Sequence, residues 1–153
     1  MIPSRKVAKK VSQRTQVAAL CYQCDKKGKV EILLVTSRGT RRWIPPKGWP
    51  IEGKSPHDAA AQEALEEAGV KGRVSDVALG RYDYTHDPEQ DGMPPAEAFI
   101  FPLEVQKFAK DFKEKGQRKV KWFSPKKAAM LVREPKLKKI LRNFDPRKMG
   151  SPG

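Results

Sequence analysis

Cysteine and histidine are scarce, with two of each in 153 residues. Cys21 and Cys24 form a lone C-x-x-C with no second Cys pair and no closely spaced His pair. A structural zinc site needs four ligands, so zinc and redox chemistry are not expected. Residues three apart on a strand point to opposite faces, which places Cys21 in the core and Cys24 near a hairpin. Long hydrophobic runs are missing as well. None approaches the ~20 residues that span a bilayer. The basic stretch MIPSRKVAKKVSQR leads into no hydrophobic segment of signal-peptide type. Residues 1–14 therefore read as a flexible basic arm, and the protein as cytoplasmic with no membrane partner. Acidic residues are outnumbered, 18 against 32 Lys and Arg, for a formal charge of +14. That excess points to anionic partners. Internal repeats are lacking, and the length fits one domain with a proper core.

Three of the few acids stand together. Glu63, Glu66 and Glu67 lie at i, i+3 and i+4 on a helix expected over 56–68. At 100° per residue they fall within about 100° of arc and share one face. Like charges so placed repel one another unless a cation sits among them. Oxygen-only ligands suit Mg²⁺ or Mn²⁺, which in turn favour phosphate substrates. The helix has clear ends: Ser55 as N-cap, Pro56 in the first position, Asp58 in the first turn and Gly69 at the left-handed C′ position. Ala61, Ala64, Leu65 and Ala68 give a small-residue stripe for packing on a sheet. Without its surroundings such a face reads as a solvated acidic one.

The surroundings change that reading. Residues 48–70, GWPIEGKSPHDAAAQEALEEAGV, resemble the Nudix box, G-x5-E-x7-R-E-U-x-E-E-x-G-U with U a bulky apolar residue. Gly48, Glu63, Glu66, Glu67, Gly69 and Val70 fall in register without a gap. Lys54 stands where the pattern has Glu, Gln62 where it has Arg, and Ala64 is smaller than the usual apolar residue. The resemblance implies that this Glu and Arg help orient the metal-binding helix. Both are changed together here, which strands neither charge, and Glu52 is the nearest displaced carboxylate. Upstream, the W-x-P-P-K-G run within RRWIPPKGW is similar to that of diadenosine tetraphosphate hydrolases. TSRGTRRWIPPKG and the later VKWFSPKKAAMLV resemble diphosphoinositol polyphosphate phosphohydrolases. The likeness spans about residues 15–144. It implies an α+β fold, an α/β/α sandwich with a mixed sheet. It also implies a metal held by Glu63, Glu66, Glu67 and the Gly48 carbonyl. The expected reaction is hydrolysis of a phosphoanhydride bond in a dinucleoside polyphosphate or a diphosphoinositol polyphosphate. Glu66 or Glu67 is the expected general base, with Glu97 in reserve.

Substrate contacts are read from charge. Arg38, Arg41, Arg42 and Lys47 precede the box, and several such cations together suit a polyphosphate chain. Lys47 adjoins the metal loop. Tyr84 and His86 lie at the end of a strand, where Tyr84 would stack on a base. A second basic run, Lys107 to Lys121 and on into Lys126, Lys127, Lys136, Lys138 and Lys139, reads as a solvated face that would also steer anions or bind RNA. Lys54 and Gln62 leave a second reading: a weakened or non-catalytic Nudix domain that binds nucleotides or RNA through its basic surface.

Strands are expected at 16–23 and 29–37 around the turn DKKG, at 42–44, at 73–84 and 97–105 around THDPEQDGMPP, and at 119–123. Helices are expected from Pro125 to Val132 and from Pro135 to about Phe144, with residues 145–153 a disordered tail.

Overall fold

The computed structural model describes residues 15–84 and 96–149. In chain order the elements are β1 (Thr15–Cys24), β2 (Val30–Thr36), β3 (Trp43–Ile44), β4 (Lys47–Gly48), α1 (Pro56–Ala68), β5 (Val70–Val74), β6 (Gly80–Tyr84), β7 (Ala96–Phe108), β8 (Val120–Phe123), α2 (Pro125–Leu131) and α3 (Pro135–Arg142). The sheet runs β3-β2-β1-β7-β5, with β4 on β1, β6 on β7 and β8 on β2. β1 and β7 are parallel, and the β1–β2 and β6–β7 pairs are antiparallel, so the sheet is mixed as expected.

The central strands are apolar on both sides because both sides are covered. Along VEILLV, Ile32 and Leu34 join one buried cluster while Leu33 and Val35 join the other. The first cluster lies under α2 and α3, with Ala128, Leu137 and Leu141. The second lies under α1, with Ala59, Ala60, Ala64 and Ala68. Alternation over period two thus builds the three layers of the sandwich. Cys21 is buried on the α1 side and Cys24 is exposed, as the strand geometry requires.

Two segments differ from the sequence reading. The strand expected over 73–84 divides into β5 and β6, which pair with successive stretches of β7. Val74 lies opposite Leu103 and Gly80 opposite Ile100. Pro102, which has no N–H to donate, falls in the gap where the ladder steps from one to the other. Beyond α3, Asp145 caps a short 3₁₀ turn at Pro146–Lys148, and Met149 packs against the core. The polar composition of this stretch hides that contact.

The helix ends position the acidic face. Ser55 accepts from the Asp58 N–H, and Gly69 takes φ 73° as it closes α1. The buried stripe of α1 is Ala59, Ala60, Ala64 and Ala68, while Ala61 and Leu65 are only half buried. At 100° per residue Glu67 lies about 20° from Ala60, with Glu63 and Glu66 successively farther out. The seam with the sheet therefore takes Glu67 in and leaves Glu66 at the rim.

Candidate metal and phosphate site

Glu67 is 3% exposed, and its carboxyl shares a hydrogen bond with that of Glu63. Burial pushes the Glu67 carboxyl up to about 9, against the pull of the Arg118 guanidinium, and the bond to Glu63 adds to the rise. Glu63 is raised too, first by burial and then by the charge of Glu66. Two carboxyls sharing a proton form a site that would exchange that proton for a cation. Gly48 lies against Glu63, and a Cβ at position 48 would collide with the Glu63 carboxyl. The absence of a side chain at Gly48 is what lets Glu63 of the helix reach the backbone of β4. The donors are all oxygen, which fits Mg²⁺ or Mn²⁺.

Glu66 stands apart from that pair. Gln62 Nε2 donates to its carboxylate at 2.8 Å, and Lys113 Nζ lies 3.7 Å away. Among the described residues, no three His, Cys, Asp or Glu side chains converge on one point at metal-holding distance. Glu63, Glu67 and Gly48 come together, then, while Glu66 is held at the edge by two other side chains.

Next along β4 is Lys47. Its ammonium donates to Gln16 Oε1 at 2.9 Å and sits 4.4 Å over the Tyr84 ring. The Tyr84 hydroxyl donates to the same Gln16 oxygen. Lys47 and Tyr84 are thus brought together, but Tyr84 is buried in the cluster under α2 and α3, so its ring faces the Lys47 ammonium and is not open for the base stacking expected of it. Gln16, which the sequence reading passed over, joins them through the β1–β4 pairing that sets Lys47 opposite Ala18. Its signal was a polar residue, 5% exposed, inside an apolar strand.

The arginines separate. Arg42 is drawn into an ion pair with Glu134 at 3.0 Å, at the N-terminus of α3. Arg38 and Arg41 are exposed on the turn that Ser37 closes onto Arg42, with Arg41 at φ 55°. His86 lies outside the described residues. Glu97 is 3.5 Å from Arg81. Lys54 is exposed, on a turn closed by its N–H to the Ile51 carbonyl.

Arg118 and Lys113 reach the carboxylates from the connection between β7 and β8, where Glu114 is bonded to Arg118. In sequence that connection reads as a solvated charge run, and nothing in its spacing marks these three residues.

A profile of the NUDIX domain matches residues 14–145. Nudix hydrolase 12, mitochondrial, of Arabidopsis thaliana is 29% identical over 119 residues, covering 76% of this chain and 59% of that protein. Human diphosphoinositol polyphosphate phosphohydrolase 3-alpha is 29% identical over 121 residues, covering 78% of this chain and 69% of that one. The chain thus spans about three fifths to two thirds of these relatives' lengths. The Ap4A hydrolase of C. elegans superposes with a TM-score of 0.62 at 19% identity, covering 84% of this chain and 92% of that chain, a likeness of fold. With the profile running through nearly all of the folded region, the chain belongs to the NUDIX domain family.

Proposed function

We propose that this chain is a divalent-metal-dependent hydrolase that adds water across a phosphoanhydride bond of a highly phosphorylated substrate. The observation that carries this reading is the Glu63–Glu67 carboxyl pair, with Glu63 packed on Gly48, one residue from Lys47. Glu63, Glu67 and the Gly48 carbonyl would hold Mg²⁺ or Mn²⁺, with Glu66 at the rim. When bound, the ion would neutralise charge on the transferring phosphoryl group and acidify a water. This chain's residues do the rest. Lys47 binds phosphate oxygens, its ammonium set by Gln16 and the Tyr84 ring, while Arg38 and Arg41 offer further cations for a long polyphosphate chain. Glu66 is the better-placed general base, because it is partly exposed and lies outside the proton-sharing pair. The relatives named for diphosphoinositol polyphosphates and Ap4A support substrates of that class, diphosphoinositol polyphosphates and dinucleoside polyphosphates.

The test is phosphate and nucleotide release with Mg²⁺ or Mn²⁺ from diadenosine polyphosphates, a diphosphoinositol polyphosphate, nucleoside triphosphates and 5′-triphosphate RNA. Metal-dependent cleavage that Glu66→Gln reduces by roughly 10²–10³-fold is the expected result. One observation favours a second reading. Glu66 is engaged by Gln62 and Lys113, an arrangement that also suits a non-catalytic domain binding nucleotides or RNA on its basic surface. Silence across the panel, with salt-sensitive binding retained, would select it.

A further inference from the structure

The connection between β7 and β8, residues 109–119, is fastened along the helix that carries the carboxylates. The Ala109 N–H donates to the Gly69 carbonyl at 2.8 Å, and the Glu114 N–H to the Glu66 carbonyl at 2.9 Å. The Phe112 ring fills the space beside Gly69. At its far end the segment is tied to β2: the Thr36 N–H donates to the Lys119 carbonyl at 3.1 Å, and the Lys119 N–H to Thr36 Oγ1 at 2.9 Å. One segment therefore joins the C-terminal half of α1 to the end of a central strand.

Arg118 stands where those two attachments meet. Its Nη1 donates to the Thr36 carbonyl at 3.0 Å and its Nε to Glu114 Oε1 at 2.8 Å. The same Nε lies 3.9 Å from Glu67 Oε1. The three side chains are 10%, 13% and 3% exposed. A planar guanidinium held by sheet backbone on one side and a carboxylate on the other has a single orientation. Gln62, in the α1 turn before Glu66, serves Glu66. The guanidinium that faces Glu67 comes from the connection between β7 and β8.

We propose that Arg118, set by Glu114 and the Thr36 carbonyl, is a positioning residue that holds the Glu67 carboxylate ready for a divalent cation. This rests on the metal-dependent reading above, and it explains why a charge-rich connection is latched so closely to α1. A cation near Glu67 offsets part of the cost of burying that carboxylate, and a fixed one limits the directions in which it points.

The test compares the parent chain with Arg118→Met and Arg118→Lys. Free Mn²⁺ is titrated by electron paramagnetic resonance, melting is followed in chelator, and kcat and KM are measured on whichever panel substrate the parent cleaves. Arg118→Met is expected to weaken Mn²⁺ binding by about tenfold or more and to lower kcat, with KM within about threefold. Arg118→Lys keeps the charge without the fork and is expected to weaken Mn²⁺ binding by about threefold while melting like the parent. Mn²⁺ affinity within about twofold of the parent in the folded variants would overturn the role, as would KM rising as steeply as kcat falls. If Arg118→Met does not fold, Arg118→Lys decides alone by the same criterion. A parent that binds no Mn²⁺ would overturn the metal reading itself and this role with it, whereas parent-like variants of a parent that binds would overturn only Arg118.

Discussion

The sheet carries a buried acid–cation cluster on each side, and the two are balanced differently. Under α2 and α3, Arg42 faces Glu134 at 3.0 Å, one cation to one carboxylate. Beside α1, a single guanidinium, Arg118, is bonded to Glu114 and lies near Glu67, with Glu63 hydrogen-bonded to Glu67. The first cluster is balanced in charge and ties a loop to a helix, although Arg42 Nη1 and Glu134 Oε1 are buried without a hydrogen bond among the described residues. The second has more carboxyl groups than guanidinium groups, and burial raises both Glu63 and Glu67 towards their protonated forms. On the function proposed above, the first serves shape and the second a divalent cation.

Substitution on the two sides should separate those roles. Glu67→Gln is expected to lower turnover by roughly 10²–10³-fold, with the melt in chelator equal to the parent's or higher, since a neutral group replaces a buried acid. Glu134→Gln should do the reverse, costing up to about 3 kcal/mol because Arg42 loses its counter-charge, while kcat stays near the parent's. Urea unfolding beside steady-state kinetics reads both, and equal losses of turnover would erase the distinction.

pH sharpens it further. The raised Glu67 carboxyl keeps its proton in the folded, metal-free protein up to about 9, while the unfolded chain releases it near the ordinary glutamate value of about 4.3. Across that window the unfolded state binds fewer protons, so this group lowers stability as pH rises. Melting in chelator should fall from pH 5 towards pH 9, and Glu67→Gln should flatten the slope relative to the parent.

Lys47→Ala is a smaller perturbation. Loss of one charge-assisted phosphate contact should raise KM by roughly tenfold with kcat changed by less. A change confined to kcat would move Lys47 out of the binding wall. The smallest effect concerns the thiols. Burial pushes the Cys21 thiol far up, and Cys24 is exposed. One thiol per folded chain should react with a disulfide reagent, and the second only on unfolding.

Much of this was legible in advance because it is local. Ser55, Pro56 and Gly69 delimit α1 by capping chemistry, and the spacing of Glu63, Glu66 and Glu67 sets them on one face. The unbroken apolar run at 32–35 is what a strand covered on both sides requires. What escaped depends on pairing between distant segments. The step from β5 to β6 is set by β7, since Pro102 has no N–H to offer there. Gln16 meets Lys47 only because β1 pairs with β4, and Arg118 reaches Glu67 only because residues 109–119 lie along α1. Arg42 likewise looked like one of a set of loop cations until the fold placed Glu134 beside it.

The measurement that bears most directly on the central contrast is turnover of a diphosphoinositol polyphosphate as Mg²⁺ is titrated, in the parent, Glu67→Gln and Glu134→Gln. Saturable, Mg²⁺-dependent phosphate release in the parent and in Glu134→Gln, lost in Glu67→Gln, is the result expected of a site short of a cation. Turnover that is indifferent to Mg²⁺, or equal in Glu67→Gln and the parent, would contradict it.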